Sequence, residues 1–272
     1  MSTRQLGWPV YLDESGQVGA AGRAGSVRLT GAEGRHAAAV RRHRPGDVLV
    51  VTDGAGAWVA GRVRAVRGKA EVELEVVQQG FEPAPTPRLT VVLGLLKSDR
   101  SDLAVDQLTE VGVDRIVGWS AQRCVANWSG ERVGRGLHRW RRAAAEAAKQ
   151  SRRVRLPEVS GVADTAAVAA LVAAADGAFV CHESATAPLA AQLSSRSQAR
   201  QAAELVIVVG PEGGITDAEV AALSAAGAVP ASLGPTVLRA ALAGTVAAAL
   251  LLAAAGRLAP DGRLSPGGPV GP

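Results

Sequence analysis

Aromatic side chains are scarce in this sequence: Phe, Trp and Tyr make up 3% of its 272 residues. Gripping single-stranded nucleic acid by base stacking takes several such rings, and only Trp128 and Trp140 lie near a basic stretch, which argues against a stacking platform. Cysteine is scarcer still. Cys124 and Cys181 are too few for a disulfide framework or a four-ligand zinc site, and they read as small core residues rather than nucleophiles. The histidines His36, His43, His138 and His182 form no His-x-x-x-His pair, so no metal is expected. A Gly-x-Ser-x-Gly elbow is also missing, which weakens a serine hydrolase. Long apolar runs are few. Residues 240–255 carry no charge, but sixteen residues rich in Ala fall short of the ~20 that span a bilayer, and a buried C-terminal helix is expected. No basic start leads into an apolar run, so no secretory leader is expected, and the expected location is the cytoplasm.

What is present supports a packed protein: 47% of residues are hydrophobic and 20% charged. Lysine occurs only at Lys69, Lys97 and Lys149, so arginine supplies nearly all of the basic charge, and the formal net charge is +5. The basic residues gather twice. Residues 35–44 hold Arg35, Arg41, Arg42 and Arg44 with two histidines and no acid; residues 141–155 hold six cations and one acid. Two such runs point to a phosphate backbone as the shared partner, although solvated helix faces also produce them.

The chain changes character once. Strands are expected over 48–52, 57–66 and 71–76, the last alternating Glu with Val and Leu as a half-buried strand does. Short strands joined by Gly-rich turns predict a small β-barrel domain over residues 1–82. Three prolines in residues 83–87 mark a linker. Residues 88–256 then alternate strands (89–96, 115–119, 178–181, 205–209, 229–233) with helices (102–111, 137–151, 165–175, 217–226), which predicts an α/β domain with a mostly parallel sheet. The tail, 257–272, is Gly/Pro-rich and expected to be disordered.

Two stretches could carry chemistry. Gly210-Pro211-Glu212-Gly213-Gly214-Ile215-Thr216-Asp217 follows the most apolar strand, where α/β proteins bind ligands. Its spacing fits neither a dinucleotide fingerprint nor a phosphate loop, Glu212 reads as buried, and Thr216 or Asp217 is placed to cap the next helix. Ser232-Leu233-Gly234-Pro235-Thr236-Val237-Leu238-Arg239 is a second strand end, with Pro235 suited to the first turn of a helix. Arg239 is the only charge between Glu219 and Arg257, either an anion anchor or a snorkelling side chain.

Together these segments resemble the RsmE-type 16S ribosomal RNA uracil-N3 methyltransferases of the trefoil-knotted SPOUT class. The resemblance is carried by the 210–216 loop and by Leu233-Gly234-x-x-Val237-Leu238-Arg239. Lys97-Ser98-Asp99-Arg100 with Thr109-Glu110-Val111-Gly112-Val113, and Arg139-Trp140 with Glu146-Ala147-Ala148-x-Gln150-Ser151-x-Arg153, agree with it. So does His36-x-x-x-Val40-x-Arg42-x-Arg44-Pro45-Gly46-Asp47, similar to a PUA-like β domain. Five motifs in order span roughly residues 8–256. The resemblance implies a PUA-like barrel, a knotted α/β domain and a homodimer whose subunits both contribute to the site. It also implies S-adenosylmethionine as cofactor and N3 of a uridine in 16S ribosomal RNA as target.

On that basis His182, Val209, Gly210, Gly214, Ser232, Leu233, Gly234 and Leu238 are expected to hold the cofactor, largely through backbone groups. Arg239 is expected as a buried cation that stabilises charge on the reacting base, with Glu212 beside the sulfonium. Arg35, Arg42, Arg44 and Arg153 are expected to contact RNA. The sequence departs from the family after Arg239, where Ala240-Ala241-Leu242-Ala243 replaces a Thr-x-Thr-Ala stretch; Thr236 and Ser98 also replace family residues. These departures leave open a catalytically weakened RNA-binding or ribosome-assembly protein, or a methyltransferase for another RNA.

Overall fold

The structure, a computed structural model, describes residues 7–20, 25–126, 128–193 and 196–258. The chain forms two compact units, the first from residues 7–84 with 148–156, the second from 85–147 and 157–258.

The first unit is built on a five-stranded sheet. Its strands are β1 (Val10–Leu12), β2 (Ser26–Leu29), β3 (Val48–Thr52), β4 (Ala57–Arg67) and β5 (Glu71–Phe81), in the order β1-β3-β4-β5-β2. Only the β1–β3 pair is parallel. The alternation in β5 works as read: Val72 and Leu74 are fully buried while Glu71, Glu73 and Glu75 turn outward. They pack with Val27, Leu29, Leu49, Val51 and Val59 in one core. The sequence reading missed β1 and β2, which are three and four residues long and too short to show a period.

Residues 148–156 belong to this first unit, although the pattern places them in the second domain. Their side chains find partners there. Lys149 Nζ lies 2.7 Å from Glu33 Oε1, and both side chains are less than a tenth exposed. The other Glu33 oxygen accepts from the Leu12 amide at 3.2 Å. Thr52 Oγ1 donates to the Val154 carbonyl at 2.7 Å, and Arg155 lies over the Phe81 ring while its Nε donates to the Glu82 carbonyl at 2.6 Å.

The second unit holds six parallel strands in the order β11-β9-β10-β6-β7-β8, with β6 (Arg88–Gly94), β7 (Arg115–Trp119), β8 (Glu158–Ala163), β9 (Gly177–Cys181), β10 (Glu204–Val209) and β11 (Val229–Ala231). β6 and β10 lie in the middle, and their unbroken apolar runs are explained by cover on both faces. Leu89, Val91, Leu93 and Ile207 pack against helices α1 (Ser98–Val111), α2 (Glu131–Gln150) and α5 (Ala240–Ala254). Val92, Val206 and Val208 pack against α3 (Thr165–Ala173) and α4 (Asp217–Ala225). Gly112 ends α1 with a φ of 110°. The charge-free helix α5 buries seven of its fifteen residues, and no helix among the described residues is long and apolar enough to cross a membrane.

Several boundaries differ from the sequence reading. α2 begins at Glu131 rather than at 137, because its polar first turns show no apolar period. β11 stops at Ala231, and Pro235 does not start a helix: residues 232–238 run without helical hydrogen bonds and α5 begins at Ala240, with Arg239 as its N-cap. β8 escaped notice because Ser160 and Gly161 interrupt its apolar run. Arg257, assigned to a disordered tail, instead donates to the Pro87 carbonyl at 2.9 Å and to Asp114 Oδ1 at 3.0 Å; the tail expectation from 259 onward lies outside the described residues.

Removing one member of a buried ion pair leaves the other charged and unmatched, at a cost of ~3–5 kcal/mol. Lys149→Met is therefore expected to lower the urea midpoint strongly, and Glu33→Gln with Lys149→Met to recover much of the loss. A single variant as stable as wild type would show that the pair contributes nothing.

Candidate active site

The carboxyl ends of β9, β10 and β11 open into a cleft of about 570 Å³, within the ~300–1,000 Å³ usual for small-molecule sites. Its walls come from three strand-end segments, at 181–183, 209–217 and 231–240. The middle wall is held by main-chain packing. A Cβ on Gly94, the last residue of β6, would stand 2.4 Å from the Pro211 nitrogen, so only glycine lets the two chains meet. At the far side of the turn Gly214 takes a φ of 77°, and its amide donates to the Pro211 carbonyl at 2.9 Å.

Thr216 caps α4 and forms a capping box with Glu219. Glu219, not Glu212, is the buried acid of this stretch. It accepts from the Thr216 amide at 3.0 Å, the Gln122 amide at 2.8 Å and the Thr165 hydroxyl at 3.3 Å. Burial pushes its carboxyl up, but these donors together outweigh burial and hold it below the ordinary glutamate range. One carboxylate thus ties the loop after β10 to those after β7 and β8.

The third wall is bonded to the first. Ser232 donates its amide to the Ala187 carbonyl at 3.0 Å and accepts from the Leu189 amide at 2.8 Å; His182 donates its amide to the Ala231 carbonyl at 3.1 Å. Ser232, expected among the residues that hold a cofactor largely through backbone groups, thus has both its N–H and its C=O engaged within the protein. Residues 233–238 are different. Among the described residues none of their backbone N–H or C=O groups has a protein partner, and all six residues line the cleft.

All eight residues expected to hold a cofactor line this cleft, together with Glu212 and Arg239. Two expectations about environment are overturned. Glu212 is not buried: the residue as a whole is exposed and its side chain is 23% exposed, 3.4 Å from Arg100 Nη1, because it stands in the turn at the sheet end. Arg239 is exposed as well, at the N-cap of α5, where the loop rather than the core surrounds it. Sequence reasoning did not assign Arg100, Arg123, Glu183 or Asp217 to the site; Arg100 stands in a recognised passage, but nothing local marks Arg123. Cys181 also lines the cleft, and burial pushes its thiol up to about 12, which disfavours the thiolate that a nucleophile needs.

In the first unit Arg35, Arg42 and Arg44 are exposed around the helical turn of residues 31–40. Arg153 is 5% exposed. It cannot reach a phosphate, and that expectation is corrected. A charged run shows how many cations there are, not which face they take.

Residues 82–252 match the family model of an RNA methyltransferase domain, and residues 29–77 that of an RNA methyltransferase PUA domain. A Mycobacterium bovis protein named ribosomal RNA small subunit methyltransferase E is 47% identical over 223 residues, covering 80% of this chain and 83% of its own. A Synechocystis protein of the same name is 33% identical, over 82% of this chain and 72% of its own. The crystal structure of a Neisseria gonorrhoeae protein of that name, bound to S-adenosyl methionine, superposes with a TM-score of 0.74 at 24% identity, over 90% of this chain and 97% of that one. At that identity the likeness establishes the fold.

Because the folded-state carboxyl of Glu219 is held low, its contribution to stability is fully present above the unfolded value of ~4.3 and fades as pH falls below it. Glu219→Gln is expected to destabilise the protein by ~1–3 kcal/mol at pH 7. The gap from wild type should narrow as pH falls below the unfolded value and close once the folded-state carboxyl is itself protonated. Denaturant titrations across pH check this, and a gap independent of pH would refute the role of the charge.

Proposed function

The chain belongs to the ribosomal RNA small subunit methyltransferase E family, and we propose that it transfers a methyl group from S-adenosylmethionine to N3 of a uridine in 16S ribosomal RNA. The observation that carries this reading is the cleft at the ends of β9, β10 and β11, which gathers both loop motifs except Thr216, the residue that caps α4.

The residues present fit the cofactor. The backbone groups of 233–238, which have no protein partner among the described residues, offer donors and acceptors for an adenosine, and the Gly210–Gly214 turn allows close backbone approach. When bound, S-adenosylmethionine supplies a methyl group on a cationic sulfonium. Glu212, beside the cleft, puts negative charge near that cation. Uracil N3 must give up its proton to solvent water for transfer, which leaves negative charge on O2 and O4 until the methyl group is bonded to N3. Arg239, permanently charged, stabilises that charge where it develops. Cleft walls that fix the base in line with the donor supply the rest through orientation.

Arg239 acts more strongly out of water. Two apolar side chains near it, Val237 at 77% and Leu242 at 45% exposure, lie uncovered, and so does Leu103 on the neighbouring helix α1. A second copy of the chain seated there buries them and desolvates Arg239. This supports the homodimer, and it gives Leu242 a packing role in place of the hydroxyl that relatives carry.

Single-turnover methylation of 16S RNA, read by mass spectrometry of the uridine, tests the reaction. Arg239→Ala should slow transfer by ~10²–10³ while S-adenosylmethionine still binds. A wild type that binds the cofactor but methylates no RNA would favour the assembly-protein reading instead.

The basic turn makes a separate prediction. Arg44→Ala is expected to weaken RNA binding and to make its salt dependence shallower by roughly one unit. Arg153→Ala should lower the unfolding midpoint and leave the salt slope alone, since Arg153 is buried. Identical salt slopes in wild type and Arg44→Ala would remove that turn from the interface.

A further inference from the structure

Two exposed arginines from separate elements bracket the 212–214 turn, and the fold itself requires neither side chain. Arg100, in the first turn of α1, reaches Glu212 across 3.4 Å with its side chain still 52% exposed. A contact that long and wet contributes little. Arg123, past the end of β7, arrives by another route. Its carbonyl oxygen lies 2.7 Å from where a Cβ on Gly213 would stand, so a glycine there admits the Arg123 backbone against the turn. The guanidinium then sits 3.5 Å from the Gly213 carbonyl, its only polar partner among the described residues. Main-chain packing, not a countercharge, brings this cation to the cleft.

We propose that Arg100 and Arg123 form a phosphate-binding fork at the mouth of the cleft, taking the RNA backbone next to the nucleotide whose base enters. This rests on the RNA-methylating reading above. Guanidinium groups are always charged and match phosphate oxygens with paired donors. A phosphate held beside the turn fixes how far the attached base reaches into the cleft, without reading sequence. The fork shares its turn with Glu212, so the weak Arg100–Glu212 pair competes with phosphate for one of the two arginines.

The test uses the full chain, S-adenosylmethionine and a single-stranded uridine-containing fragment of 16S RNA, with RNA affinity measured over a series of KCl concentrations. Arg123→Gln and Arg100→Gln should each make the salt slope shallower by about 0.7 and raise KM for RNA about tenfold. The dissociation constant of S-adenosylmethionine, read by calorimetry, should stay unchanged. Glu212→Gln should do the opposite to RNA binding, tightening it and steepening the slope, because it releases Arg100. If the arginine variants weaken cofactor binding and leave the salt slope intact, the fork holds the cofactor's carboxylate and the proposal falls. Unchanged slopes in both variants, with wild-type turnover intact, overturn the fork alone. A wild type that neither binds nor methylates the RNA overturns both readings.

Discussion

The candidate site depends on a single main-chain contact, the approach of Gly94 to Pro211. β6 and β10 are neighbours in the sheet, and the chain leaving β10 turns back across the end of β6 at a distance no Cβ could share. That contact places the Gly210–Gly214 turn over the strand ends, and the turn forms the middle wall of the cleft. On either side the β9 and β11 exits are stitched together by the amides and carbonyls of His182, Ser232 and Leu189. In the third wall the backbone groups over 233–238 have no protein partner among the described residues, while Ser232 and Arg239 on either side are hydrogen-bonded.

Charge is arranged around this frame in two different ways. Glu219 is buried and surrounded by donors, and it serves as a fixed joint between three loops. Glu212, seven residues earlier, is exposed and weakly paired, and is free to respond to a ligand. The same division holds for cations: Lys149 and Arg153 are buried within the first unit, whereas Arg35, Arg44, Arg100, Arg123 and Arg239 face outward. Buried charges stay because they are matched; exposed ones remain available because little competes with water for them.

Much of this was legible in the chain. Period-two alternation located β5, continuous apolar runs located β6 and β10, and Gly112 marked the end of α1. The two loop motifs stood at the ends of strands, which is why they could be named as a site before any fold was known. By contrast, short strands such as β1 and the polar first turns of α2 leave no periodic trace. Burial of Glu219, in the first turn of α4, rather than Glu212, in the turn before it, depends on donors at Gln122 and Thr165 that lie far away in the chain. Assignment of 148–156 to the first unit escaped notice because its partners, Glu33, Thr52 and Glu82, lie some seventy or more residues away in the chain.

The sequence by itself determined the class of the longer periodic segments, the two strand-end loops and the family, since these depend on local period, turn chemistry and motif order. Tertiary structure alone decided which charges are working surfaces. Whether an arginine meets solvent, a carboxylate or a carbonyl depends on residues distant in sequence, and a guanidinium carries the same charge in every case. Arg153 and Arg44 look alike in a basic run, but packing buries one and leaves the other on the surface.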